Sequence, residues 1–127
     1  YRWNPVERNW RIVLAPPEGC ASECDRLARE IHTVWQLFGK DADDVDVLWI
    51  CPQAQPNCDL PPGAPRPATL HLLQSSPEVR ASLPRVEDPR GVPVYVIDPY
   101  GFVILRYPPG FDPSGLRTDL ARLLKLK

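Results

Sequence analysis

The sequence predicts an α/β domain with a central four-stranded mixed sheet flanked by helices. Three observations carry that reading. A short apolar run, Trp10 to Ala15, leads into a long amphipathic helix. A second, nearly continuous apolar run, Val45 to Ile50, follows the helix, as a parallel strand covered on both faces would. Further on, Asp98-Pro99-Tyr100-Gly101 separates two strand-like runs with proline at a central turn position and glycine behind it, which signals an antiparallel hairpin.

The 127 residues suffice for one domain with its own core: a leading arm over 1–9, then an α/β domain over 10–127. A formal net charge of -1 gives no reason to expect DNA, RNA or an anionic membrane as partner. The 17 prolines cluster in loops and leave the periodic segments intact. No apolar run reaches the roughly 18 residues of a membrane span. The chain starts at Tyr1 and contains no methionine, so it reads as a processed or trimmed product, with any targeting or anchoring segment lying upstream.

Taken in order, Tyr1 to Asn9 is a polar and aromatic arm without a clear period. Ile12, Val13 and Leu14 centre the first strand, and Pro16 and Pro17 stop it. Gly19 lets the backbone turn. The first helix is expected from about Ser22 to Phe38, because Leu27, Ile31, Val34 and Phe38 form one stripe that Ala28 and Trp35 widen. Ser22 and Asp25 make a capping-box-like pair at its head, and Gly39 ends it. Lys40 to Asp46 is an acidic turn. It lacks the glycine and terminal glutamate of a calcium loop, so it reads as a solvated connection.

From Cys51 to Pro67, six prolines and Gly63 forbid a regular helix or central strand. Leu70 to Leu73 is apolar but too short to assign. Ser75-Ser76-Pro77-Glu78 starts a short helix that Pro84 closes. Val92 to Asp98 and Phe102 to Tyr107 are the hairpin strands. Asp112-Pro113 caps and opens the last helix, which buries Leu116, Leu120, Leu123 and Leu124.

Four cysteines, two of them closely spaced, favour an oxidising compartment. Cys20 and Cys24 stand at the head of the first helix, where unpaired N–H groups and the helix field make thiols acidic and reactive. The Gly19 turn puts Cys20 just outside the helix, which eases closure of a bond to Cys24. Glu23 and Asp25 beside the pair oppose thiolate formation. Cys51 ends the second strand and, in a parallel sheet, should share a pole with Cys20. Its simplest partner is Cys58, across the proline-rich loop, although exchange or a shared site between the pairs stays open. Four cysteines allow three full pairings.

Element order and the Cys20-Ala21-Ser22-Glu23-Cys24 pair together resemble the thioredoxin fold, in its Sco/SenC branch, which assembles the copper centre of cytochrome c oxidase. That branch uses a Cys-x3-Cys pair. Val94-Tyr95-Val96-Ile97-Asp98-Pro99-Tyr100-Gly101-Phe102 is similar to its strand-turn-strand segment, and Tyr107 to Lys125 resembles membrane-anchored bacterial proteins linked to oxidase assembly. The likeness spans Trp10 to Lys125. Two departures matter. Asp25 stands where Sco proteins usually carry proline, and Pro84 to Val92 lacks the histidine that would complete a copper site.

The resemblance implies that Cys20 attacks and Cys24 resolves, with Pro93 as a cis proline facing the pair. A trans proline at a strand's first residue is the plainer alternative. It also implies a periplasmic or other extracytoplasmic location, with membrane anchoring, and a protein partner, either an oxidase subunit or a thiol–disulfide partner. Copper is the candidate cofactor, and a soft site would need Cys20, Cys24 and an imidazole. His71 is the candidate third ligand, whereas His32 flanks the helix stripe at the surface. Three readings compete. The first is thiol–disulfide exchange with copper handling in oxidase assembly. The second is a scaffold stapled by inert disulfides, binding through its proline-rich loop and the exposed ends of Trp3, Trp10 and Tyr107. The third, a cytosolic zinc protein, has cysteine spacings unlike a zinc knuckle.

Overall fold

A computed structural model describes residues 9–55 and 57–125. The strands are β1 (Trp10–Leu14), β2 (Val45–Ile50), β3 (Leu70–Leu73), β4 (Val94–Ile97) and β5 (Val103–Tyr107). The helices are α1 (Ser22–Gln36), α2 (Pro77–Ser82) and α3 (Pro113–Leu124), with a 3-10 segment over Gly39–Asp44. The leading arm, apart from Asn9, lies outside the described residues, and Trp3 with it.

Among the described residues the sheet has five strands, not the four expected, in the order β3-β2-β1-β4-β5. The added strand is the unassigned run Leu70–Leu73. Its four residues are too few to show a period alone, and it is defined by pairing parallel to β2, Val47 opposite Leu70 through Ile50 opposite Leu73. The crossover through α1 makes β1 and β2 parallel, with Leu14 opposite Trp49. β4 runs antiparallel to β1, and β5 antiparallel to β4, closing the hairpin that Asp98-Pro99-Tyr100-Gly101 signals.

Strand alternation divides the core between two faces. Ile12, Leu14, Val47, Trp49, Val94 and Val96 meet the stripes of α1 and α3 on one face. Val13, Leu48, Ile50, Tyr95 and Ile97 lie on the other, closed by Leu83 beyond α2. Leu27, Ala28, Ile31 and Val34 are the buried side of α1, as the spacing predicts. The helix ends at Gln36, two residues before the expected Phe38, although Phe38 still packs against the core. Leu37 is exposed at the C-cap and Phe38 is only half-buried, because the chain tightens into the 3-10 segment there. Buried Leu116, Leu120 and Leu124 hold α3 down, while Leu123 is half-buried at its edge. Asp112 caps α3 by accepting from the Ser114 N–H at 2.9 Å. Ser76 does the same for α2, accepting from Val79 N–H.

The head of α1 departs from expectation. Ala21 is the N-cap, already in helical conformation, with no side-chain cap bond. Ser22 is the first helical residue rather than the cap. The Ser22–Asp25 pairing is therefore absent, and Asp25 instead accepts from Arg29 at 3.1 Å.

Candidate functional site

The C-terminal ends of β1 and β2 lie side by side because the two strands are parallel and in register. Beyond β1, Pro16 and Pro17 break the ladder, and Gly19, at φ +74°, turns the chain to deliver Cys20 to the head of α1. Cys20 is half-buried, and Cys24, in the first turn of the helix, is only 3% exposed. They form a disulfide with Cα atoms 5.5 Å apart. Beyond β2, Cys51 is 1% exposed and its N–H donates to Leu73 O at 2.8 Å, extending the β2–β3 ladder by one bond. Cys51 is bonded to half-buried Cys58, Cα to Cα 5.7 Å. The pairings are those the spacing suggests.

Both disulfides open on one groove of about 390 Å³. Cys20, Cys24, Cys58 and Trp49 line it, together with prolines of both post-strand loops. The expectation that the two pairs share a pole therefore holds.

The acidic residues beside the first pair are already engaged. Glu23, between the two cysteines, reaches across to the segment before β4, where its Oε2 accepts the Val92 N–H at 3.1 Å. The Arg26 guanidinium stands 3.8 Å from the same carboxylate. Asp25 pairs with Arg29. Their repulsion of a thiolate is thus offset by nearby cations and a backbone donor. Sequence alone did not reveal the Glu23 contact, since it joins residues 69 apart. The one local sign of it is Gly91, at φ +143°, where a Cβ would overlap Glu23 Oε2 and sit 3.1 Å from its Cδ.

The segment Glu23 touches is firmly braced. Asp88, with its side chain 1% exposed, accepts from the guanidiniums of Arg90 and Arg106, each at 2.9 Å. Those bonds, with the Arg90 N–H, hold its carboxyl well below the usual carboxylate range. Arg106 also donates to Pro84 O and Arg85 O, and Tyr95 donates to Pro84 O at 2.6 Å.

Three expectations need correction. The bond before Pro93 is trans, and no cis peptide occurs among the described residues. Pro93 stands at the head of β4, where a missing N–H breaks no ladder bond, and the preceding N–H of Val92 is satisfied by Glu23. His71 sits opposite Leu48 in the β3–β2 ladder, on the sheet face away from α1, while Leu70 and Leu72 face the α1 side. Alternation thus turns it away from Cys20 and Cys24. Tyr107 and Trp10 are not projecting contact residues. Trp10 packs half-buried on the core, and Tyr107 donates to Asp119 at 2.6 Å and stacks on Phe111 at 5.3 Å. His32 lies half-buried beside Trp35, at the flank of the stripe as expected.

A three-ligand copper site would need two thiolates and a third soft or imidazole donor in one place. Here the two sulfurs of the first pair are bonded to each other. Among the described residues no three His, Cys, Asp or Glu side chains converge as a metal group. Cys58, the further soft donor on the groove, is bonded to Cys51, and neither histidine lines the groove, so its residues as they stand do not form such a site.

Over residues 10–127 the sequence matches the family described as transmembrane-like, thioredoxin-like, C-terminal domain. The chain belongs to that family. Its thioredoxin-like fold is also that of solved Sco structures. Copper-bound ScoI of Bradyrhizobium japonicum superposes with a TM-score of 0.60 at 20% identity, covering 90% of this chain and 84% of that one. Copper-bound yeast Sco1 gives 0.68 at 13% identity, over 92% and 78%. BsSco, a member of the Sco family of cytochrome c oxidase assembly proteins with an identified disulfide switch, gives 0.61 at 13%, over 94% and 82%. At these identities the likeness is one of fold. No curated protein is significantly similar in sequence to this thioredoxin-like chain. Among its described residues no helix is long and apolar enough to cross a membrane.

Proposed function

We propose that this chain is an extracytoplasmic thiol–disulfide exchange domain that acts on a protein partner during cytochrome c oxidase assembly. The observation that carries the reading is the asymmetry of the first pair. Both cysteines line the groove, Cys20 half-buried and Cys24 only 3% exposed in the first turn of α1. A partner's thiolate entering the groove attacks Cys20 Sγ, the Cys20–Cys24 bond breaks, and Cys24 leaves as a thiolate at the helix head, where negative charge is favoured. A second partner thiolate attacks the partner sulfur of the mixed disulfide, and Cys20 leaves. The chain gains two electrons and two protons, and the partner gains a disulfide. In reverse, Cys20 attacks a partner disulfide and Cys24 resolves the adduct. Pro93 serves as a trans residue in the segment that Glu23 holds beside the pair.

The fold shared with Sco structures, one of them described as an oxidase assembly protein with a disulfide switch, supports the assembly setting and the compartment. Two disulfides in a short chain support it as well. A membrane anchor upstream is part of the same reading. Copper is not: neither histidine lines the groove, and Cys58, the remaining sulfur donor there, is bonded to Cys51.

The test is a thiol count by mass spectrometry after alkylation, with peptides mapped, on folded protein equilibrated across glutathione ratios. Cys20 and Cys24 are expected to become alkylatable together while circular dichroism stays native. If they open only with denaturant, exchange is refuted and the chain is a disulfide-stapled scaffold.

A further inference from the structure

We infer that the second disulfide is an internal redox partner of the first, so that the groove holds a two-disulfide relay. This rests on the exchange reading of Cys20–Cys24 and extends it to a pair with no assigned role. Each disulfide has the same build. One member is half-buried on the groove, Cys20 in one pair and Cys58 in the other, and its partner is buried at 3% or 1% exposure. Topology produces this meeting. Leu14 and Trp49 are register partners at the ends of β1 and β2, Cys51 follows Trp49 by two residues, and the loop beyond returns Cys58 to the groove that Trp49 lines. A disulfide meant only to pin the loop has no need to present a sulfur-bearing residue beside a second disulfide. Exchange requires that arrangement, since attack occurs on the accessible sulfur and expels the other.

The step balances within the chain. Starting from the Cys20/Cys24 dithiol and the Cys51–Cys58 disulfide, the Cys20 thiolate attacks Cys58 Sγ. The Cys51–Cys58 bond breaks, and Cys51 leaves as a thiolate and takes up the proton that Cys20 lost to solvent. The Cys24 thiolate then attacks Cys20 Sγ, restoring Cys20–Cys24 and releasing Cys58, which takes up the proton that Cys24 lost. Two electrons pass from one pair to the other, and no outside oxidant is required. The pair that meets the partner is thereby reset by the pair behind it, and the reverse sequence passes reducing equivalents forward.

The test removes both buried cysteines. In the Cys24→Ser, Cys51→Ser variant, only Cys20 and Cys58 remain. With oxidised glutathione at about 0.1 mM, a Cys20–Cys58 bond in the folded monomer should exceed glutathione adducts by roughly tenfold, the ratio expected for an effective concentration in the millimolar range. Adducts on both residues without the cross-link overturn the relay. Should that variant not fold, Cys24→Ser alone gives the same readout. A Cys20–Cys58 linked peptide together with an alkylated Cys51 supports the relay, and an alkylated Cys20 beside an intact Cys51–Cys58 bond refutes it. The glutathione titration of the unaltered chain separates the two claims. A chain that opens Cys20–Cys24 when folded, yet never links Cys20 to Cys58, keeps its exchange function and loses the relay.

Discussion

Replacing Gly91 with alanine probes the contact that ties the cysteine helix to the segment before β4. Two costs arise. Alanine at φ +143° strains the backbone by about 1–3 kcal/mol. Its Cβ would also occupy the space of Glu23 Oε2, so the carboxylate must leave the Val92 N–H. A hydrogen bond to a charged group contributes about 1.5–3 kcal/mol, and the low end applies because the Glu23 side chain is 30% exposed. The sum is about 3 kcal/mol. With a urea m-value of about 2 kcal/mol per M, the midpoint falls by roughly 1.5 M. The decisive form is a double-mutant cycle with Glu23→Ala, measured by urea unfolding with both disulfides oxidised. In that background the clash and the bond are already gone, so Gly91→Ala should cost only its backbone share. The coupling is expected at about 1–2 kcal/mol. Equal costs in the two backgrounds would show that the added methyl does not meet Glu23, and the reading of the Glu23–Val92 contact as what Gly91 makes room for would be wrong.

Two further outcomes follow from the same contacts. Asp88 has its folded pKa depressed, first by its bonds to Arg90 and then by Arg106. The stability this adds is present above the unfolded value of about 4 and is lost as pH falls below it toward the folded value. Asp88→Asn should therefore lower the urea midpoint at pH 7, with the gap to the parent narrowing in acid, and a gap independent of pH would count against the reasoning. Tyr107→Phe removes the bond from the Tyr107 hydroxyl to Asp119, which links β5 to α3. It should cost about 1–2 kcal/mol in the same assay without altering the alkylation pattern of Cys20 and Cys24.

What could be read in advance was what is local. The Leu27–Ile31–Val34 stripe, the Asp112-Pro113 start of α3 and the Asp98–Gly101 turn are each written in adjacent residues, and each appears where the spacing puts it. The pairing of Cys51 with Cys58 followed from their closeness, and the shared pole of the two pairs from parallel strand order. What escaped depends on distant partners. β3 is a strand because β2 offers it a ladder, and four residues cannot declare that alone. Glu23 read as a charge beside two thiols until Val92, far along the chain, proved to be its donor. His71 was a reasonable ligand by residue type, but pleat parity decides which way it points, and parity could not be read before β3 was known to be a strand.

Both disulfide rings are small. One spans four positions of sequence and the other seven. Neither bridges two elements of the sheet, so neither fixes the threading of the chain. In the chain-entropy picture, closing rings this short restricts the unfolded ensemble by only about 2 kcal/mol each. Opening one therefore leaves the strand order and both hydrophobic layers intact. Under the proposed exchange function, electron traffic at this pole would be insulated from the topology of the protein, allowing repeated turnover without passing through an unfolded form.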